Sequence, residues 1–273
     1  MHDCKRLETA GYVVIKGFLS NDDVTDLISR YKMIRQYFEE NEISNKNYSI
    51  LNGGQLTNGL QSKLDDAIAS ISATTDIKSN LNQPWMAFLD NELISFSWHQ
   101  DHEPYYLYQH TYDCLNFWIP LVKPDIALSG LDVVPHDRFA IHAEEIWKKY
   151  VFNSGAKHFY TQDGIQYMAD DGIGETVQLP FMLDDIADQP EVDVGDALIL
   201  RGDIIHKSQQ NHGHRVSISV RTMNADRVLS KDVFVSGCSK KHQMIAKNVN
   251  GFKRLKELFE QNSTTTAREM FNR

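Results

Sequence analysis

The residues best suited to chemistry are His99 and Asp101, which lie two positions apart in the segment WHQD (98–101). Side chains two residues apart in extended backbone leave the same face of a strand, so this pair presents one nitrogen and one oxygen ligand side by side. Two ligands do not hold a catalytic metal alone, and a third must come from another strand. His206, in GDIIH (202–206), is the candidate. Two histidines and one carboxylate form a facial triad that leaves the opposite side of Fe(II) open for a co-substrate and dioxygen.

The H-x-D spacing also has a simpler interpretation. It occurs by chance in many proteins, and a histidine beside a carboxylate is more often a surface pair or a hydrogen-bonded core residue than a metal ligand. The metal hypothesis therefore depends on His206 and on the residues that follow it.

Arg215 lies nine positions after His206, on the next strand if a turn occupies residues 209–213. A guanidinium offers a planar fork that matches a carboxylate through two hydrogen bonds. Ser208 and Ser217 are candidate neutral donors beside it. This set of residues is suited to a 2-oxoacid whose other end chelates the metal.

The segment HRVSISVRT (214–222) alternates polar and apolar residues, as a half-buried strand does. Arg215 and Arg221 therefore share a face, together with Ser217 and Ser219. Arg221 is an alternative co-substrate residue, although we favour a salt bridge at the rim of the barrel for it.

Composition limits the classes of function. The 273 residues are 41% hydrophobic and 24% charged, which is ordinary for a globular protein. The net charge of −9 argues against a nucleic-acid or anionic-membrane partner. The three cysteines form no CxxC pair, which favours a reducing cytoplasm over a structural zinc site. Without an apolar signal segment or membrane-length run, we expect a cytoplasmic protein; the sequence does not indicate its oligomeric state.

The pattern of elements predicts an α+β fold. Residues 20–38 have a helix N-cap cluster followed by apolar residues at helical spacing, and residues 61–72 form a weaker helix. From residue 85 the chain reads as short strands, including 93–99 and a central strand at 114–121 that ends near Pro120 and Pro124. We expect one domain over residues 1–273 with a double-stranded β-helix (jelly-roll, cupin-like) core and N-terminal helices on its major sheet. Residues 138–190 are predicted to be a lid or insert, and residues 260–273 a frayed tail.

The sequence resembles the phytanoyl-CoA dioxygenase-like family of Fe(II)/2-oxoglutarate-dependent oxygenases. The resemblance covers most of the chain and is carried by LETAGYVVIKGFLSNDDV, SWHQD, NFWIPL, SGLDVVPHD and GDALILRGDIIHKSQQNHGHRVSISVR. It implies iron at His99, Asp101 and His206, and 2-oxoglutarate at Arg215 with Ser208 nearby. Asn116 and Trp118 correspond to a strand that lines the co-substrate pocket in relatives. Two departures concern loops: PHD stands where relatives have P-G-S-H, and the interval from His206 to Arg215 is slightly short.

The resemblance also implies an activity. Such enzymes use Fe(II), 2-oxoglutarate and O2, release succinate and CO2, and most often hydroxylate an unactivated C–H bond of a small-molecule substrate. Relatives that halogenate lack the carboxylate that Asp101 supplies here, so hydroxylation is favoured over halogenation. Desaturation, ring formation and demethylation use the same ligands. Residues 102–113 and 138–190 are predicted to shape the substrate pocket.

Two other hypotheses remain open. A non-catalytic barrel that binds metal or 2-oxoglutarate as a sensor or scaffold would keep the fold without turnover. A hydrolytic zinc enzyme would use the same three ligands but would have no use for Arg215.

Overall fold

The computed structural model describes residues 3–41, 50–83, 85–92, 95–127, 129–151, 155–209, 213–247 and 249–271. Within these ranges no helix is both long and apolar enough to cross a membrane.

Helices are interspersed with strands along the chain. In order they are α1 (Arg6–Thr9), β1 (Tyr12–Ile15), α2 (Asn21–Glu40), β2 (Ile50–Gln55), α3 (Asn58–Thr74), β3 (Leu81–Asn82), β4 (Trp85–Asp90), α4 (Glu103–Tyr106), β5 (Leu115–Val122), β6 (Leu131–Val134), α5 (His136–Ile146), a π-helical turn (Trp147–Val151), β7 (Lys157–Gln162), β8 (Ile165–Asp170), β9 (Thr176–Gln178), α6 (Leu183–Ile186), β10 (Ala197–Arg201), β11 (Ile205–Ser208), β12 (Val216–Met223), β13 (Val228–Ser230), α7 (Lys231–Val235), α8 (Ser239–Lys247), α9 (Val249–Gln261), β14 (Thr264–Thr266) and α10 (Ala267–Phe271).

The two long N-terminal helices cover one face of the large sheet. Ser20 caps α2 through a reciprocal pair of hydrogen bonds with Asp23, which satisfies amide groups that the first turn leaves free. The buried side chains of α2 and α3 belong to one apolar cluster with outward residues of β5, β10 and β12. The predicted helices at 20–38 and 61–72 are thereby confirmed.

The large sheet is antiparallel in every pair, with the strand order β1-β10-β5-β12-β4-β2 and β3 paired to β12. The predicted strand at 114–121 is central, but it continues through Pro120 to Val122. A register shift opposite Pro120, between Val216 and Ser217, explains how the strand tolerates a residue without an N–H group.

A second set of antiparallel strands lies opposite the large sheet, and residues of both sets line a cavity between them. β6 pairs with β11, and β7, β8 and β9 form a three-stranded unit. The segment at residue 99 joins them, because His99 forms isolated bridges with both His206 of β11 and His158 of β7. The predicted strand at 93–99 is therefore only a bridge at His99, while residues 93 and 94 lie outside the described part of the chain.

Two predicted irregular segments contain regular structure. The described part of residues 138–190 contains most of α5, the π-helical turn, three strands and α6, and their buried side chains contribute to an apolar cluster that includes Phe159, Met168 and Leu183. The role of this segment as a lid stays a prediction. The predicted frayed tail at 260–273 differs from the structure over 264–271, because β14 pairs with β13 and Ala267 and Met270 are buried.

Candidate active site

The structure brings His99, Asp101 and His206 together. Two backbone hydrogen bonds of 3.0 Å pair the two histidines directly across neighbouring segments, and their ring centres lie 4.3 Å apart. Asp101 Oδ1 lies 3.6 Å from His99 Nε2 and 3.9 Å from His206 Nε2. One ligand atom from each of the three residues fits within 4.8 Å of the others, which is a spacing that a single metal ion can bridge.

Backbone carbonyl groups orient both imidazole rings. His99 Nδ1 lies 2.8 Å from the carbonyl oxygen of Ser97, and His206 Nδ1 lies 3.2 Å from that of Ile204. A carbonyl oxygen only accepts hydrogen bonds, so Nδ1 of each ring carries a proton, and Nε2 is the nitrogen atom near Asp101. Burial, and then the neighbouring His99, lower the pKa of His206 to about 4. His206 is therefore a neutral potential ligand at neutral pH.

Asp101 is ionised in this setting. Burial alone would raise its pKa, but Arg221 and then the two histidines outweigh burial and hold the pKa of Asp101 well below its ordinary value. Its Oδ2 atom accepts hydrogen bonds from Arg221 Nη2 at 3.0 Å and from Asn116 Nδ2 at 3.2 Å. Its Oδ1 atom is the one directed at the histidines.

Arg215 is a buried cation, with 3% of its surface exposed. Its Nη1 donates to the carbonyl oxygens of Ser129 at 2.9 Å and Gly130 at 2.8 Å, and among the described residues the guanidinium forms no salt bridge. Within that same part of the chain, its buried Nε has no hydrogen-bond partner. Burial lowers the pKa of Arg215 to about 10, which still leaves it charged at neutral pH. Asp90 stabilises the charged form of Arg215 but forms no salt bridge with it, and a buried charge that is only partly compensated favours binding of an anion.

The three clustered residues and Arg215 open into one cavity of about 110 Å³ between the sheets. Side chains from both sheets and from the segment that follows His99 line it: Ala87, Leu89, Phe96, His99, Asp101, His102, Glu103, Asn116, Trp118, Leu131, His206, Ser208, Arg215, Ser219 and Arg221.

The other residues predicted from the sequence differ in their placement. Ser208 lines the cavity, and its hydroxyl accepts a 3.1 Å hydrogen bond from the Phe96 amide. Trp118 forms a wall, with its ring centre 5.6 Å from the Arg215 guanidinium carbon. Asn116 lines the cavity, but both ends of its amide are engaged by protein side chains. Ser217 is fully buried and does not belong to the cavity lining.

The sequence did not reveal the partner of Arg221. The expected salt bridge of Arg221 is present, but it lies inside the cavity rather than at the barrel rim: Arg221 pairs with Asp101 and lies 3.6 Å from Glu103 Oε1. The available signal was the alternation that placed Arg221 on the face of Arg215. Glu103 lies two positions after Asp101, which is the same spacing that separates Asp101 from His99.

No protein-family model matches the sequence, and no curated protein matches it. Solved structures do match by fold. The non-heme alpha ketoglutarate dependent carbocyclase SnoK from nogalamycin biosynthesis is 15% identical, with a TM-score of 0.51 over 82% of this chain and 83% of SnoK. EvdO2 from Micromonospora carbonacea var. aurantiaca is 11% identical, with a TM-score of 0.50 over 81% of this chain and 89% of EvdO2. The non-heme monooxygenase ThoJ, as a nickel complex, is 12% identical, with a TM-score of 0.50 over 94% of this chain and 98% of ThoJ. At these identities the similarity shows a shared fold.

Proposed function

We propose that this protein is a non-haem Fe(II)- and 2-oxoglutarate-dependent dioxygenase of the phytanoyl-CoA dioxygenase-like type. The observation that carries the proposal is the shared cavity: two histidines and a carboxylate converge in it, and Arg215 supplies a buried positive charge to the same space without a salt bridge among the described residues. The facing antiparallel sheets support a jelly-roll core, and the fold shared with SnoK and ThoJ supports the class.

The donor set fits iron. His99 Nε2, His206 Nε2 and Asp101 Oδ1 would hold Fe(II), a set of two nitrogen atoms and one oxygen atom that suits this ion. The carbonyl partners of both Nδ1 atoms keep the rings in the tautomer that a metal requires. Bound Fe(II) would supply the oxidising chemistry, in which O2 and 2-oxoglutarate are consumed and succinate and CO2 are released.

Arg215 would bind the carboxylate of 2-oxoglutarate that lies away from the metal. The guanidinium provides directional charge-assisted hydrogen bonds, and the buried Trp118 ring lies beside it. The Ser208 hydroxyl lies in the same cavity and would add a neutral contact. Ser217 would contribute only after a local rearrangement, since it is not part of the cavity lining.

A small-molecule substrate would enter the remaining part of the cavity. Phe96, His102 and Glu103 also line the cavity, and an intact Asp101 favours hydroxylation of a C–H bond over halogenation. The three free cysteines are consistent with a cytoplasmic location.

Anaerobic titration of the purified apoprotein with Fe(II) and 2-oxoglutarate tests the proposal. We expect the weak visible charge-transfer band of the chelated complex in the wild type. The band should be lost in Asp101→Ala, and Arg215→Ala should need far more 2-oxoglutarate to reach it. A wild type that binds metal without developing the band would remove 2-oxoglutarate from the mechanism and favour the scaffold or zinc hypotheses. Succinate formation in air then separates an enzyme from a sensor.

A further inference from the structure

The oxygen atom of Asp101 that is not directed at the histidines is held by two side chains of the large sheet. Arg221 of β12 and Asn116 of β5 are directly opposite each other in the strand register, and both donate to Asp101 Oδ2. Ser219 Oγ donates to Asn116 Oδ1 at 2.7 Å, which fixes the direction of the amide and presents its NH2 group to Asp101.

This arrangement leaves a single carboxylate oxygen for a metal. A free carboxylate can turn away from the histidines, and a ligand that must first be ordered binds a metal ion more weakly. We propose that Arg221 is a positioning residue that, with Asn116, holds Asp101 with its Oδ1 atom directed at the histidines, where it would bind a metal ion. The inference rests on the proposed function, because it presupposes a metal ion at the triad.

The charge balance around Arg221 supports this role over direct binding of an anionic ligand. Its guanidinium lies 3.0 Å from Asp101 and 3.6 Å from Glu103, so two carboxylates already neutralise it. Arg215, six positions earlier and on the same strand face, forms no salt bridge among the described residues. The two arginines of the cavity therefore have different partners and different tasks.

A positioning role and a simple charge effect predict opposite results. A guanidinium near a divalent cation repels it, so removing the charge alone would tighten metal binding. Removing a residue that holds a ligand weakens metal binding, by about 10–100-fold for outer-shell partners of metal ligands. The direction of the change in metal affinity decides between these roles.

The test is a titration of the full-length apoprotein with Co(II) without 2-oxoglutarate, followed by visible absorption and calorimetry. We expect Arg221→Met to weaken Co(II) binding by about 10–100-fold. Arg221→Lys, which keeps the charge and one donor toward Asp101, should recover part of the loss. Ser219→Ala, which removes only the hydroxyl that orients Asn116, should show a smaller loss in the same direction.

Arg215→Met is the matched control, because it removes a buried arginine from the same cavity without a contact to Asp101. Its Co(II) affinity should be no weaker than that of the wild type. Thermal unfolding of each variant checks folding; if Arg221→Met does not fold, Ser219→Ala and Arg221→Lys decide the question. Unchanged or tighter Co(II) binding in the folded Arg221 variants, with binding lost in Asp101→Ala, would overturn the positioning role alone. A wild type that binds no Co(II) would overturn the metal site and this inference with it.

Discussion

Replacing Arg215 by methionine should have little effect on the stability of the apoprotein. A pKa lowered from 12.5 to about 10 by burial corresponds to about 3 kcal/mol of unfavourable free energy for the charged side chain. The two hydrogen bonds to backbone carbonyls of Ser129 and Gly130 offset most of this cost, at about 1.5 kcal/mol each. Because methionine removes both contributions, we expect the free energy of unfolding to change by less than about 1 kcal/mol. Breaking a buried pair of opposite charges, by contrast, costs about 3–5 kcal/mol.

The same substitution should greatly weaken 2-oxoglutarate binding. Loss of a two-point contact between guanidinium and carboxylate removes about 3 kcal/mol or more, which is at least about 100-fold in Kd. At a concentration of 2-oxoglutarate about 100 times the wild-type Kd, the ligand stabilises the metal-loaded wild type by about 2.7 kcal/mol. In Arg215→Met the same concentration should give only about 0.4 kcal/mol.

Urea unfolding of the two apoproteins, and of the two metal-loaded proteins with and without 2-oxoglutarate, measures these free energies. Co(II) replaces iron so that no turnover occurs, and calorimetry gives the two Kd values directly. If the free energy of unfolding of the Arg215→Met apoprotein were lower than that of the wild type by about 3 kcal/mol or more, the charge of Arg215 would be compensated by another charge within the protein. Equal 2-oxoglutarate affinity in the two proteins would refute the proposal that Arg215 binds the co-substrate.

Two further predictions concern the N-terminal segment and its buried partner. Gly11 has a φ of +85°, and a Cβ there would lie 2.4 Å from His136 Cδ2, whereas Gly17 has a φ of +61° with open space around it. Gly17→Ala should cost about 1 kcal/mol and Gly11→Ala at least about 2 kcal/mol more, as measured by urea unfolding. Burial lowers the pKa of His136 below 6.5 although Asp203 opposes the shift. Below pH 6.5 the unfolded chain therefore binds a proton that the folded protein does not, and stability falls on acidification by up to about 1.4 kcal/mol per pH unit. His136→Gln should show a shallower pH dependence of stability; an unchanged slope would contradict this account.

The alternation of polar and apolar residues in the sequence predicted those features of the site that lie within a single segment of the chain. The alternation in residues 214–222 placed Val216, Ile218 and Val220 against the helices and left Arg215 and Arg221 on the other face, and the structure confirms this division. The H-x-D spacing likewise placed His99 and Asp101 together. Such patterns are visible in the sequence because they follow from the two-residue repeat of a strand.

Features that depend on distant partners could not be predicted in this way. The continuation of β5 through Pro120 depends on a register shift in β12, about 100 residues later in the chain. The contact between Arg221 and Asp101 joins residues 120 positions apart. The order in residues 264–271 similarly comes from pairing with β13 and from burial among residues of other segments. A single sequence carries no local signal for such pairings.

The two bridges formed by His99 use main-chain atoms on both sides: His99 N and O bond to His206, and the flanking residues Trp98 and Gln100 bond to Phe159 and Lys157. The imidazole ring takes no part in them. Folding and metal binding are therefore separable at this position, because a residue such as alanine keeps the same main-chain donor and acceptor. We expect His99→Ala to keep the native circular dichroism spectrum while losing Co(II) binding. An inactive protein of this kind would allow substrates to be trapped and identified without being consumed.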